Sequence, residues 1–263
     1  MVDVVIEQLG AVATVKLNRP DSHNALTPGM ITRLTTAFQE LGMARGVRVI
    51  VLTGNGRSFC AGADINSMKA AGQATYSENV ADAQAIFDLM LAVDSCPRPV
   101  IGRINGAAIG GGAGLVSCCD SVVAVERATF AFSETRLGLI PAVISPFVLA
   151  KIGPGPAREL FISGERFKAP YARHIGLVHH VAADEAELDV MVNQRVAQFM
   201  AGAPEAQAAA KRVIRSVTSQ EKESVREYTA AQIAHRRESA EGREGMTAFL
   251  EKRQPDWVEI GQD

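Results

Sequence analysis

Two glycine-rich segments and one glutamate are the residues of this chain best suited to chemistry. The segment at 56–68 reads GRSFCAGADINSM and the segment at 104–120 reads INGAAIGGGAGLVSCCD. Small residues let a ligand approach the backbone closely, so that N–H groups can bind an oxygen directly. The glycine run at 110–112 also opens a short predicted helix, whose first N–H groups attract a developing anion. Glu134, further along the chain, could act as a general acid or base.

Tight turns are the competing explanation for each glycine-rich segment taken alone. That explanation weakens because each segment follows an apolar run typical of a buried strand, and ligands bind at the carboxyl ends of parallel strands. A nucleotide cofactor fits poorly. The glycines at 110, 111, 112 and 114 lack the G-x-G-x-x-G spacing, and the chain has no GK[ST] phosphate-binding motif. We therefore expect these loops to bind an anionic oxygen of a substrate.

The first half of the chain alternates predicted strands and helices. Thr27 is the expected N-cap and Pro28 the first-turn residue of a helix at 28–44. The other predicted elements of this half are strands at 3–9, 11–17, 47–54, 99–105 and 121–125 and helices at 76–95 and 110–119. This alternation favours right-handed crossovers and a mainly parallel sheet, which places the chain in the α/β class.

From about residue 184 the pattern becomes entirely helical. The predicted helices cover 184–201, 204–216, 220–236 and 239–253. We therefore divide the chain into an α/β core at 1–200 and a helical C-terminal region at 201–263. The C-terminal region is small for burying its own apolar faces, and we expect it to pack on the core or on another subunit.

Composition narrows the class of protein. Of the 263 residues, 47% are hydrophobic and 21% charged, as in a soluble globular protein. A formal net charge of −2 lacks the basic excess of a nucleic-acid or membrane-surface binder. The N-terminus lacks signal-peptide features, and no apolar run reaches the roughly 20 residues of a membrane span. Four cysteines without metal-ligand spacing predict reduced thiols in a cytoplasmic protein without a metal site.

Several ordered segments together resemble the enoyl-CoA hydratase/isomerase (crotonase-like) family. They are NRP and NAL within 18–26, VLTGNGRSFCAGADI at 51–65, INGAAIGGG at 104–112, Cys119-Asp120, SETRLGLIP at 133–141 and EGMTAFLEKRQPDW at 244–257. The resemblance spans nearly the whole chain. It implies a spiral of ββα repeats with a helical C-terminal region that mediates assembly into a homotrimer or a dimer of trimers. It also implies an acyl-CoA thioester as substrate and no separate cofactor.

The resemblance assigns an oxyanion hole to the backbone N–H groups of Ala63 and Gly111. Hydration and isomerisation both pass through an enolate-like thioester oxygen, and each preorganised donor can supply on the order of 3–4 kcal/mol. The residues expected to bind substrate or CoA are Ala61, Ala63, Asp64, Ile65, Gly111 and Lys252. The residues expected to line or back the acyl pocket are Ala142, Val143, Ile144 and Phe147. A solvated helix lysine is an equally good explanation of Lys252.

The acid/base residues depart from the family pattern at one position. Hydratases of the family typically use two glutamates. Glu134 matches the second, but Gly114 stands where the first would be, three residues after Gly111. An isomerase needs one base and no activated water, which fits a single glutamate. The segment at 137–153, in contrast, looks like that of bacterial hydratases for branched or carboxylated enoyl-CoAs, similar to methylglutaconyl-CoA hydratase, many of which also have a small residue there.

We therefore expect an enoyl-CoA hydratase that adds water across the 2,3 double bond of a branched or carboxylated enoyl-CoA, with Glu134 as acid/base. A 3-enoyl-CoA to 2-enoyl-CoA isomerase is the alternative. A non-catalytic acyl-CoA-binding protein ranks lower because the two N–H donors and the glutamate are all present. His174, Glu165 and Cys60 remain conceivable helpers that no spacing singles out.

Overall fold

Ten strands and twelve α-helices build the part of the chain that the computed structural model describes, residues 2–218 and 220–259. The strands are β1 (Val4–Leu9), β2 (Val12–Leu17), β3 (Val49–Gly54), β4 (Ser58–Cys60), β5 (Val100–Ile104), β6 (Ala107–Ile109), β7 (Ser121–Val125), β8 (Thr129–Ala131), β9 (Arg166–Lys168) and β10 (His180–Ala182). The helices are α1 (Pro28–Met43), α2 (Ile65–Ala71), α3 (Tyr76–Asp94), α4 (Gly111–Cys118), α5 (Ser145–Ile152), α6 (Pro154–Ser163), α7 (Ala169–His174), α8 (Glu185–Met200), α9 (Pro204–Val217), α10 (Arg226–Glu238), α11 (Ala240–Glu251) and α12 (Asp256–Glu259). Short 3-10 helices lie at Pro20–Ser22 and Glu134–Leu137.

The strands form two sheets, and from β3 to β8 successive strands along the chain belong alternately to one sheet and the other. The larger sheet has the order β1-β2-β3-β5-β7-β10 and the smaller the order β4-β6-β8-β9. The pairs β1–β2 and β8–β9 are antiparallel, and the other described pairs are parallel. Each of β3, β5 and β7 is followed by a short strand of the smaller sheet before the next helix. The chain therefore winds as a spiral of ββα repeats, which confirms the predicted α/β class and mainly parallel sheet.

The core lies on both sides of the larger sheet. All residues of β3 and β7 are buried, as expected for strands that are covered on both faces. The helix α8 packs against β3, β5 and β7, and α4 packs against β4 and β6 of the smaller sheet. The segments that follow β4 and β6 are the two glycine-rich loops, so both loops leave the same sheet at its carboxyl edge.

The long elements follow the sequence prediction closely, and α1 is the clearest example. Its predicted bounds of 28–44 become Pro28–Met43, and the Thr27 hydroxyl accepts the predicted capping hydrogen bond from the Met30 N–H at 3.2 Å. The helix predicted at 220–236 is wrong at its start, because α10 begins at Arg226. The Ser224 hydroxyl instead donates to the Glu221 carbonyl at 2.8 Å, a local hydrogen bond that competes with helix formation.

The helices after residue 203 are attached to the core through buried polar contacts. The buried Arg48 guanidinium donates to the carbonyls of Gly202 at 2.7 Å and Trp257 at 2.9 Å. The Lys211 ammonium pairs with the Asp120 carboxylate at 2.6 Å. The division into a core at 1–200 and a helical region at 201–263 stays a prediction. Residue 1 of the core and residues 219 and 260–263 of the helical region lie outside the described part of the chain. None of the described helices combines the length and apolarity needed to cross a bilayer.

Candidate active site

The first glycine-rich loop is held against the start of α1 by a parallel β-bridge between Leu26 and Ala63. The Leu26 N–H donates to the Gly62 carbonyl at 2.7 Å, and the Asp64 N–H donates to the Leu26 carbonyl at 3.0 Å. In this parallel bridge, both hydrogen bonds of Leu26 go to the neighbours of Ala63, namely Gly62 and Asp64. The N–H of Ala63 itself therefore points away from Leu26. No backbone acceptor for the Ala63 N–H is found among the described residues. This N–H is therefore directed away from Leu26 and is available to a ligand.

The Asp64 side chain anchors the same loop. Its Oδ1 accepts hydrogen bonds from the N–H groups of Asn66 at 2.9 Å and Ser67 at 3.4 Å, which caps α2. Its Oδ2 accepts from the Arg19 guanidinium at 3.0 Å, and that hydrogen bond lowers the pKa of the Asp64 carboxyl. The loop that carries the Ala63 N–H is thus fixed on one side by a backbone bridge and on the other by a partly buried ion pair.

The second glycine-rich loop reverses direction at Gly110, whose φ of +52° is one that glycine adopts without strain. Gly111 is the first residue of α4, so its N–H has no acceptor within the helix. The two loops lie side by side. A Cβ on Gly62 would lie 2.9 Å from the Ile109 carbonyl oxygen and 3.8 Å from the Gly111 nitrogen. The first glycine-rich loop therefore runs close to the start of α4, and Ala63 and Gly111 line the same cavity.

A cavity of about 260 Å³ opens over the two loops. The predicted site residues that line it are Ala61, Ala63, Gly111, Glu134, Ala142, Val143 and Ile144. Phe147 is buried behind the cavity wall and packs on Phe87, with ring centroids 5.3 Å apart. Asp64, Ile65 and Lys252 are not among the described lining residues, and Lys252 ends α11 with a positive φ of 56°. The structure thus brings together the two N–H donors, the glutamate and three acyl-pocket residues.

Part of the cavity wall was not predicted from the sequence. The helix α3 contributes Asp82 and Ile86, α1 contributes Ile31, and α2 contributes Ser67 and Met68. These residues are spaced like ordinary amphipathic helix faces, so their types carry no signal of a ligand site. Only the packing of the helices around the loops places them in the cavity wall.

Glu134 lies at the edge of the cavity in the 3-10 helix that follows β8. Its Oε1 is 3.2 Å from the position that a Cβ on Gly110 would take, so the absence of a side chain there leaves room for the carboxylate. Its Oε2 is buried and has no hydrogen-bond partner among the described residues. Burial raises the pKa of the Glu134 carboxyl. A carboxyl that is unpaired, desolvated and close to the N–H donors is suited to proton transfer with a bound ligand.

Gly114 lies on α4, and its surroundings are apolar. A Cβ at this position would lie 2.5 Å from Ile144 Cγ2 and 3.2 Å from Met90 Cε. The Ile144 side chain thus fills the space that a side chain at 114 would need. Neither of these two contacts is a polar group that could take the place of a carboxylate at this position, and the role of Gly114 as a lost catalytic position stays a prediction.

We predict that Gly114→Ala destabilises the protein by about 1–3 kcal/mol, because the new methyl group overlaps Ile144 in a close-packed helix contact. Adding Ile144→Ala removes the overlapping atoms. The loss in the double variant should therefore be smaller than the sum of the two single losses. The free energies of unfolding in urea at one protein concentration measure the four states of this cycle. Additive losses would contradict the overlap.

Known proteins share both the sequence pattern and the fold. Residues 7–260 match the sequence model of the family described as Enoyl-CoA hydratase/isomerase. A relative from Alternaria alternata, named Enoyl-CoA hydratase AKT6-1, is 34% identical over 90% of this chain and 78% of its own length.

Solved structures agree with this assignment. An enoyl-CoA hydratase from Shewanella pealeana is 35% identical, with a TM-score of 0.93 over 97% of this chain and 96% of its own. Pseudomonas aeruginosa AtuE is 34% identical, with a TM-score of 0.94 over 97% and 99% of the two chains. With the matching fold, the match along nearly the whole chain shows that this protein is an enzyme of the enoyl-CoA hydratase/isomerase family, which acts on acyl-CoA thioesters.

Proposed function

We propose that the protein is an enoyl-CoA hydratase that adds water across the 2,3 double bond of an enoyl-CoA thioester. The observation that carries this proposal is the position of Glu134. Its carboxyl has one buried oxygen without a partner and lies beside the loop that presents the Gly111 N–H. Relatives at about a third identity that are named enoyl-CoA hydratases support the same reaction.

The proposed reaction uses the two N–H groups and the carboxylate in sequence. The N–H groups of Ala63 and Gly111 donate to the thioester oxygen, which draws electrons from the double bond and leaves C3 electrophilic. Ionised Glu134 takes a proton from a water molecule while the water oxygen bonds to C3. The enolate oxygen stays hydrogen-bonded to the same donors, each worth on the order of 3–4 kcal/mol. Protonated Glu134 then returns the proton to C2, so that one carboxyl completes the addition.

A second candidate, isomerisation of a 3-enoyl-CoA to a 2-enoyl-CoA, is favoured by the surroundings of Gly114. The methyl groups of Ile144 and Met90 occupy the space beside this glycine and offer no hydrogen bond to a water molecule. In this reaction Glu134 removes a proton from C2 and delivers it to C4, and the same N–H donors hold the enolate oxygen. No water takes part. The non-catalytic acyl-CoA-binding protein considered from the sequence is set aside, because the family match makes the chain an enzyme.

The acyl group, the CoA contacts and the cellular location also belong to the proposal. The sequence favours a branched or carboxylated acyl group, no separate cofactor and a cytoplasmic location. Asp64 and Ile65 flank the oxyanion loop, where backbone groups can contact the CoA moiety. Lys252 does not line the cavity of its own chain among the described residues, and the resemblance implies that it contacts CoA phosphates from a neighbouring subunit.

The function is tested by incubating the purified protein with crotonyl-CoA, 3-methylglutaconyl-CoA and a 3-enoyl-CoA, followed by mass spectrometry and product chromatography. We expect a gain of one water on at least one of the two 2-enoyl substrates. Double-bond migration without a change in mass would instead establish the isomerase. If the protein binds the thioesters but converts none of them, both catalytic proposals are wrong.

We predict that Glu134→Gln lowers kcat by about 10²–10⁴-fold, because the amide cannot exchange the proton. Binding of the unreactive butyryl-CoA, measured by calorimetry, should change little.

The raised pKa of Glu134 also predicts how the activity depends on pH. The base works when ionised, so kcat/KM is full above this pKa and falls as the pH drops through it. The midpoint should lie above the ordinary glutamate value of about 4.3.

The matched control for this variant is Glu165→Gln, which removes an exposed glutamate outside the described cavity lining. This variant should retain the wild-type turnover and the wild-type fall of kcat/KM at low pH. Turnover of Glu134→Gln at the wild-type rate would refute the role of Glu134.

We further propose that the protein assembles as a homotrimer or a dimer of trimers through its helical C-terminal region. The helix α11 exposes Phe249 and Leu250 at 82% and 79%, and α10 exposes Ile233 at 51%. Large apolar side chains that are this exposed on neighbouring helices are typical of a surface that another protein chain covers.

Light scattering should give a mass three or six times the chain mass of 28.0 kDa, and Leu250→Glu should lower the measured mass. A wild-type mass of one chain would contradict the assembly.

A further inference from the structure

The charge of the cavity is one-sided. Within residues 2–218 and 220–259, its ionisable lining residues are Glu134 and Asp82, both acids. The other lining residues are apolar, glycine, proline or serine. A carboxylate buried without a cationic partner or hydrogen-bond donors is strongly disfavoured, and a second acid nearby adds repulsion. The wall is therefore suited to an alkyl chain and unsuited to a second carboxylate.

Asp82 lines the cavity from α3. It lies four residues before Ile86, and residues at this spacing share one helix face. Both line the cavity, with Ile86 half-buried and Asp82 exposed at the opening. Asp82 makes no side-chain hydrogen bond or ion pair with any other residue that the structure describes. Its negative charge is therefore not neutralised locally.

The N–H donors of the cavity do not offset this charge. The N–H groups of Ala63 and Gly111 belong to the two glycine-rich loops, and under the proposed function both donate to the thioester oxygen. A carboxylate at the far end of the acyl group would find neither of them free. Its surroundings would instead be the apolar side chains of Ile86, Val143 and Ile144, with Asp82 at the opening.

We propose that this site selects acyl groups that carry no negative charge at their far end, and that Asp82 is the residue that disfavours carboxylated ones. The inference rests on the proposed function in one respect: the acyl chain of the CoA thioester must occupy this cavity. It replaces the branched or carboxylated acyl group expected from the sequence with a linear or branched acyl group that carries no charge. Asp82 acts on specificity alone, since it takes no part in the proton transfers assigned to Glu134.

The test compares ligands that differ in one terminal group. Pentanoyl-CoA and glutaryl-CoA have the same number of acyl carbons, and neither has a double bond to hydrate. Calorimetry should show tighter binding of pentanoyl-CoA by about tenfold or more, as expected for one unfavourable charge contact. The reactive pair, 2-pentenoyl-CoA and glutaconyl-CoA, should show the same preference in kcat/KM. High salt should reduce the preference by screening the exposed Asp82 charge.

Variants of two acids on α3 show whether the preference depends on the charge of Asp82 or only on the net charge of the protein. Asp82→Asn should tighten glutaryl-CoA binding by roughly five- to tenfold and leave pentanoyl-CoA within about twofold. Asp82→Lys should tighten it further. The control is Asp88→Asn, an equal change of net charge at an exposed position of α3 outside the described cavity lining, and it should leave the preference unchanged.

Two results would overturn the inference. One is a wild-type protein that binds glutaryl-CoA as tightly as pentanoyl-CoA or more tightly. The other is an Asp82→Asn variant with the wild-type preference. Failure of the proposed function looks different, because neither reactive substrate would then gain water while the binding preference between the two saturated thioesters would persist.

Discussion

The candidate site depends on the close approach of two backbone segments, with a glycine on one side of each contact. Gly62 of the first loop faces the Ile109 carbonyl, and a Cβ on Gly112 would overlap the Cys60 carbonyl. Larger residues at either position would push the loops apart and separate the N–H groups of Ala63 and Gly111. Under the proposed function, the N–H groups of Ala63 and Gly111 both donate to one thioester oxygen, which requires the two backbones to stay this close. The other site features are arranged around this contact.

Polar groups around the two donors fall into two classes with different tasks. The Arg19–Asp64 ion pair is satisfied on all sides, with short hydrogen bonds to the loop it anchors. Glu134 has a buried oxygen without a partner and a raised pKa. A satisfied pair holds geometry, whereas an unsatisfied carboxyl is ready to exchange a proton with a ligand. The contrast between Asp64 and Glu134 explains why only one of these two acids in neighbouring loops is proposed to react.

One side chain of the cavity wall, Ile144, lies next to the catalytic region and also next to the space proposed for the acyl group. Ile144 fills the space beside Gly114, and Glu134 lines the cavity near Gly110. The Ile144 side chain also belongs to the apolar wall that would contact the acyl group, and Asp82 lines the same cavity. The packing of Ile144 beside Gly114 thus also shapes the surface that would distinguish uncharged from charged acyl groups.

The long elements could be predicted from local patterns, because a buried strand such as β3 and a capped helix such as α1 are encoded by apolar runs and capping residues. The two glycine-rich loops could be predicted as well, because their composition and order match the family. The remaining features depend on how the chain folds. Three-residue strands such as β4 have no periodicity to detect. The direction of the Ala63 N–H, the Ile144 side chain beside Gly114 and the place of Asp82 in the cavity wall all depend on contacts between segments far apart in the chain, and no local pattern encodes which surfaces meet.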